Sequence, residues 1–211
     1  MDEQERQLWE ALMAAGDAYL REGEELARRY LHEVAPAMAR CCWDMAKRFH
    51  RGGRLVVFGT GLAFSDAQHV AVEFIHPVLV GKRALPAFCL VNDVGSHTEA
   101  VRREGKRALA ALLRTVGRPE DIAFACTAHG EEPEVAEALA EARSLGMLTV
   151  AVAGGDGGLL AGLGIDHLFV VPHRHPHLIQ EIQETLYHII YELVHVFFEH
   201  RALLEEEVQR T

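Results

Sequence analysis

RLVVFGTGLAFSDAQHVAVEF, residues 54–74, is the stretch that decides the fold. Arg54–Phe58 predicts a strand buried on both faces, Gly59 and Gly61 turn the chain, and Ser65–Ile75 carries apolar residues at helical spacing. A buried strand, a tight glycine turn and a helix make the first half of a βαβ unit. The alternation continues downstream, with strands predicted at Ala87–Val91, Ile122–Thr127, Met147–Ala153 and His167–Val171. Helices are predicted at Thr98–Val116, Pro133–Leu145, with proline in the first turn, and from Pro176 to about Val208. Apolar strands separated by helices require a parallel sheet covered on both faces, so the expected class is a three-layer α/β sandwich with a five-stranded parallel sheet.

Upstream of this core, Leu8, Leu12, Ala15, Tyr19, Leu26 and Tyr30 form one helical stripe, and Met38, Cys42, Met45 and Phe49 form another beyond Pro36. Two helices ending at Gly52-Gly53 are expected, as an N-terminal arm over residues 1–51 that precedes a core over 52–211. Without a sheet of their own, they would cover a sheet face or a partner subunit. No internal repeat or long linker divides the 211 residues.

The formal net charge of −10 removes the basic footprint that nucleic acid or anionic membrane would need. Lysine is scarce, occurring only at Lys47, Lys82 and Lys106. Cys41, Cys42, Cys89 and Cys126 show no CxxC spacing, and the last two sit within apolar runs, as expected of buried thiols in a reducing compartment. The charged first thirty residues hold no secretory apolar segment and no run is long enough to span a bilayer, so a cytoplasmic protein is expected.

Ligands of such sheets bind beyond the carboxyl ends of the strands. Here those ends are residues 59–65, 92–97, 127–132 and 154–158. Gly59 and Gly61 match two glycines of a dinucleotide fingerprint, but the third position is Phe64 and no acidic residue closes the second strand, which argues against nicotinamide or flavin. His69 and Glu73 stand four residues apart, so both side chains reach one point; spacing alone also suits a pair that only locks the helix. Gln180 and His188 lie two turns apart on the last helix, near one face. A His and a carboxylate opposite a Gln and a His suit either a zinc-type site or an acid/base pair, provided the helices meet. The run His173, His175, His177 would share one side of an extended chain, yet Pro172 and Pro176 favour a solvated loop. His195 reads as a packing or surface residue and Asp156 as a turn former.

The segments SDAQHVAVEF (65–74), AVAGGDGG (151–158) and VPHRHPHLIQEIQETLYHIIYELVH (171–195) resemble the sugar isomerase (SIS) domain family, and within it the phosphoheptose isomerases. The resemblance spans nearly the whole chain and implies a flavodoxin-like SIS fold, a homotetramer with sites between subunits, and aldose–ketose isomerisation of a sugar or sugar phosphate. It further implies Glu73 as base and His188 as acid. The metal set would be His69, Glu73, Gln180 and His188, holding Zn2+, and substrate contacts would come from Gly59, Thr60, Gly61, Asn92, Asp93, Thr127, His129 and Gln180.

The chain also departs from the family. Ala63 replaces a phosphate-loop serine, and the serine-rich second loop reads Thr127-Ala128-His129-Gly130-Glu131-Glu132. Two glutamates at a helix N-terminus already complement its dipole and would repel a phosphate dianion. The loop at residues 92–97 is short, and an acidic position near His177 is lost. A changed substrate is therefore expected. The alternative is a non-catalytic regulator or scaffold like the family's replication-initiator-associating member; a third reading is a metal-binding protein for an unphosphorylated or cationic ligand.

Overall fold

The computed structural model describes residues 1–200 and 204–205. Its elements run α1 (Glu3–His50), β1 (Leu55–Gly59), α2 (Ala63–Ile75), β2 (Ala87–Cys89), α3 (Val94–Glu104), α4 (Ala108–Val116), β3 (Ile122–Cys126), α5 (Pro133–Ser144), β4 (Leu148–Gly154), β5 (His167–Val171) and α6 (Pro176–Glu199). The sheet is five-stranded and parallel, in the order β2-β1-β3-β4-β5. Helices α1, α2 and α6 cover one face, while α4 and α5 pack on the other. All residues of β1, β3 and β4 are buried, as apolar runs without alternation require.

Where two leading helices are expected, the chain forms one helix of 48 residues that runs through Pro36. A proline inside a helix removes one backbone hydrogen bond and costs ~3 kcal/mol or more. Here Leu26, Tyr30, Met38, Cys42, Met45 and Phe49 form a buried stripe that stays in phase on both sides of Pro36. Burying each large side chain contributes ~1.5–3 kcal/mol, so the stripe outweighs the proline. A capping box between Asp2 and Glu5 starts the helix. Its first turns project past the core, leaving Leu8, Trp9, Leu12, Met13 and Leu20 exposed.

Two further differences concern boundaries. The helix expected at Thr98–Val116 starts earlier, at Val94, and is broken at Gly105, whose φ of 56° ends α3 before α4 begins. The last helix ends at Glu199; residues 206–211, which include the expected end near Val208, lie outside the described residues. All four cysteines are free and buried. No helix among the described residues is long and apolar enough to cross a membrane.

At the amino end of the sheet, Asp121 clamps β1 to β3. Its carboxylate accepts from Arg54 N at 2.9 Å, Arg54 Nε at 3.2 Å, an Arg54 terminal nitrogen at 2.6 Å and Arg118 N at 3.1 Å. Asp166 does the same for β4, accepting from Thr149 N at 2.8 Å and Thr149 Oγ1 at 2.7 Å. The opposite end of the sheet is left for other work.

Candidate active site

Turn β1–α2 is fixed by its glycines. A Cβ on Gly59 would lie 2.6 Å from the Ala63 carbonyl oxygen and 2.8 Å from that of Cys126, and Gly61 holds φ of 60°. Helix α2 then buries Ala63, Asp66, Ala67, Val70, Ala71 and Phe74, which turns His69 and Glu73 along its edge toward α6. Helix α6 buries Leu178, Ile179, Ile182, Leu186, Tyr187 and Ile190. This leaves Gln180, Glu184 and His188, each four residues from the next, as a partly buried row.

The two helix faces do meet. Glu73 Oε1 is 3.4 Å from His69 Nε2, and Glu184 Oε1 is 3.6 Å from His69 Nδ1. The His188 ring stands edge-on to His69 with centroids 5.1 Å apart. Tyr187, only 2% exposed, shares a 3.0 Å hydrogen bond between its hydroxyl and His69 Nδ1. Burial first, and then the negative charge of Glu184, raises the Tyr187 pKa, so the phenol keeps its proton and donates. The His69 proton then belongs on Nε2, facing Glu73. Among the described residues, His69, Glu184 and His188 each offer a ligand atom within 4.8 Å of the others.

Gln180 is placed differently. Its amide nitrogen donates to both oxygens of Asp66 at 3.1 Å each. Asp66 is 7% exposed, and its pKa is raised chiefly by that burial, against the lowering effect of the Gln180 bond. The gap beside this pair, lined by Leu62, Ala128, His177 and Gln183, holds only about 20 Å³, room for roughly one water.

The remaining positions divide between separate places. Gly59, Thr60 and Gly61 line a cavity of about 330 Å³ together with Phe64, Val91, Val94 and His97. His129 lines another, of about 490 Å³, with Glu131, Asp156, His173 and Arg174. Asn92 accepts a 2.9 Å bond from Gln68, and Asp93 caps α3 by accepting from Ser96 N and Ser96 Oγ. Thr127 is fully buried, with its hydroxyl accepting from Gly130 N. The Ser65 hydroxyl likewise donates to the Leu62 carbonyl at 2.8 Å.

The histidine run is divided too. His173 meets Glu22 of α1 at 3.2 Å, and His175 packs against both Tyr19 and His177. His195 is a packing residue, 2% exposed, between the carbonyls of Tyr191 and Arg83. Asp156 accepts from Gly158 N at 3.0 Å and so shapes the glycine turn. Sequence reasoning passed over Glu184 and Tyr187. Glu184 had a signal, as the midpoint of the eight-residue step from Gln180 to His188. Tyr187 had none, since an aromatic residue on an apolar helix face reads as core.

Comparison with known proteins gives the family. The SIS domain matches residues 18–154, more than half of the chain. A phosphoheptose isomerase of Desulfovibrio desulfuricans is 33% identical over 190 residues, covering 89% of this chain and 90% of that protein. One from Chlorobium phaeobacteroides is 36% identical over 194 residues, covering 90% and 84%. Among solved structures, a phosphoheptose isomerase from Francisella tularensis superposes with a TM-score of 0.81 at 24% identity, over 87% of this chain and 97% of that one. The chain belongs to the SIS domain family.

Proposed function

We propose that this SIS-family chain is an aldose–ketose isomerase acting on a sugar phosphate or a closely related sugar. The observation that carries the reading is the convergence of His69 and Glu73 from α2 with His188 from α6. An aldose–ketose shift moves one proton between adjacent carbons and one between their oxygens. Glu73 is the base that takes the carbon-bound proton and returns it to the neighbouring carbon. His188 is the acid that passes a proton between the two oxygens of the enediol. His69, held by Tyr187 and in reach of Glu73, positions the carboxylate. Proton transfers of this kind contribute typically 100-fold to 10,000-fold.

Imidazole nitrogens and carboxylate oxygens this close together fit the donor chemistry of zinc. The family resemblance assigns such an ion to His69, Glu73, Gln180 and His188, and when bound it would polarise the sugar carbonyl as a Lewis acid.

The substrate's anionic end is held differently from the family pattern. The Ser65 hydroxyl already donates to the backbone, the Thr127 hydroxyl is fully buried, and Glu131 and Glu132 precede α5. The exposed row Leu8, Trp9, Leu12, Met13 and Leu20 supports an assembly of several copies through α1. The spent Ser65 hydroxyl and the buried Thr127 hydroxyl favour a second reading, a non-catalytic regulator that keeps the fold.

Deuterium wash-in decides between them. Protein incubated in D2O with a panel of ketose phosphates should place deuterium on the carbon next to the carbonyl, read by NMR. No exchange with any sugar, with the protein folded and metal supplied, would sink the isomerase. Sedoheptulose 7-phosphate itself should give no thermal shift; a shift competed away by inorganic phosphate would show that the usual phosphate contacts persist.

A further inference from the structure

We infer that the cavity between the β1–α2 turn and α3 binds a neutral aromatic molecule of one or two rings that carries a single hydrogen-bonding group. The inference goes beyond the isomerase reading, because none of His69, Glu73, Gln180 and His188 lines this cavity. Phe64, which does line it, stands five residues before His69 and so about 140° round α2 from it.

Three observations carry it. The first is the chemistry of the lining. Phe64, Val91 and Val94 give the cavity apolar walls, the turn at Gly59 and Gly61 brings bare backbone to it, and no carboxylate, lysine or arginine is among its lining residues. A charged ligand would lose hydration there with no counter-charge in return. The volume of about 330 Å³ is roughly twice the ~150 Å³ that takes one benzene ring.

The second observation is a pair of unspent polar groups. Among the described residues, neither the Thr60 hydroxyl nor the His97 imidazole has a hydrogen-bond or ion-pair partner, although both residues are half-buried. Two polar groups in an apolar cavity can orient one ligand hydroxyl or ring N–H. They cannot satisfy the several hydroxyls of a bare sugar.

The third is the helix that carries the outer wall. Helix α3 has no buried residue, and its Val94 is 70% exposed. Val94 and His97 stand three residues apart on one face, so a ring held against both gives Val94 the apolar neighbour that the chain does not supply. A helix that buries so little opens at low cost, and an occupied cavity ties it down.

The test reads binding directly, without turnover. Purified full-length protein is titrated with indole, followed by saturation-transfer NMR, with naphthalene-2-sulfonate as the anionic counterpart. Indole should bind saturably with a dissociation constant of about 1 mM or tighter, the range open to so small a ligand. The sulfonate should bind about 10-fold more weakly or not at all. Amide exchange read by mass spectrometry should slow across Val94–Glu104 at indole saturation and stay unchanged in α5. Val94→Asp should weaken indole by about 10-fold or more; an acidic residue in the first turn suits the helix dipole, so the variant keeps its fold. His97→Ala should weaken it by about 3-fold to 10-fold. Val101→Asp, on the same helix but outside the cavity, should stay within about 2-fold of wild type.

No saturable indole binding would overturn the inference, as would equal binding of the sulfonate or indole binding indifferent to both Val94→Asp and His97→Ala. An equal loss in Val101→Asp overturns it too, since the effect would then belong to α3 and not to the cavity. Failure here leaves the deuterium wash-in result untouched, and an absence of wash-in leaves this site standing.

Discussion

At the amino end of the sheet, Asp121 accepts four hydrogen bonds, all from Arg54 and Arg118, and its side chain is 1% exposed. At the carboxyl end, Glu73 and Glu184 stand 3.4 and 3.6 Å from His69, both longer than a good hydrogen bond. One carboxylate has its acceptor capacity filled by the protein, and the others do not. A saturated carboxylate contributes to holding strands together and has nothing left for a ligand. An unsaturated cluster, held in place by helix packing and by one Tyr187 hydroxyl, keeps lone pairs available for chemistry. The same fold thus gives one end of the sheet to stability and the other to function.

Substitutions at the two ends should therefore fail in opposite ways. Glu73→Gln should carry the largest effect, lowering kcat/KM by about 100-fold to 10,000-fold while moving the melting temperature by no more than about 2 °C. Substantial unfolding in that variant would break the contrast between the ends. Asp121→Ala should do the reverse, costing about 3 kcal/mol in urea denaturation by leaving the Arg54 guanidinium without its carboxylate. Its activity at a temperature where it remains folded should match wild type. A loss of activity there would show that the two ends are coupled.

Asp66→Asn gives the smallest effect and sharpens the contrast through its sign. Burial raises the Asp66 pKa above that of an exposed carboxyl in the folded state, so folding favours the protonated carboxyl. That contribution is present below the unfolded value and is lost as pH rises through the folded one. Asn cannot ionise. The melting temperature of Asp66→Asn relative to wild type should therefore climb with pH from about 4 toward neutrality. A difference that stays flat with pH would mean that Gln180 alone offsets the desolvation.

Much of this was legible in the sequence, and for definable reasons. Runs such as Leu55–Phe58 and Ile122–Cys126 read as strands because a parallel sheet buries both faces. The pair His69 and Glu73 was readable because helical spacing fixes which side chains share an edge. Pro36 misled, since a local rule about proline met a buried stripe that continues past it. The Thr127 hydroxyl stayed open in another way: its residue type suits a phosphate donor, and only the fold shows that it is fully buried with its oxygen accepting from Gly130 within the loop.

What the sequence determined by itself was the order of elements, the sheet class and the faces of α2 and α6, because periodicity and turn chemistry are local properties. The tertiary structure alone decided that Gln180 turns to Asp66 while Glu184 turns to His69. Both lie on one helix face, four residues apart, and nothing local separates them. The choice depends on which part of α2 each one meets, and that is set by the packing of two helices distant in the chain.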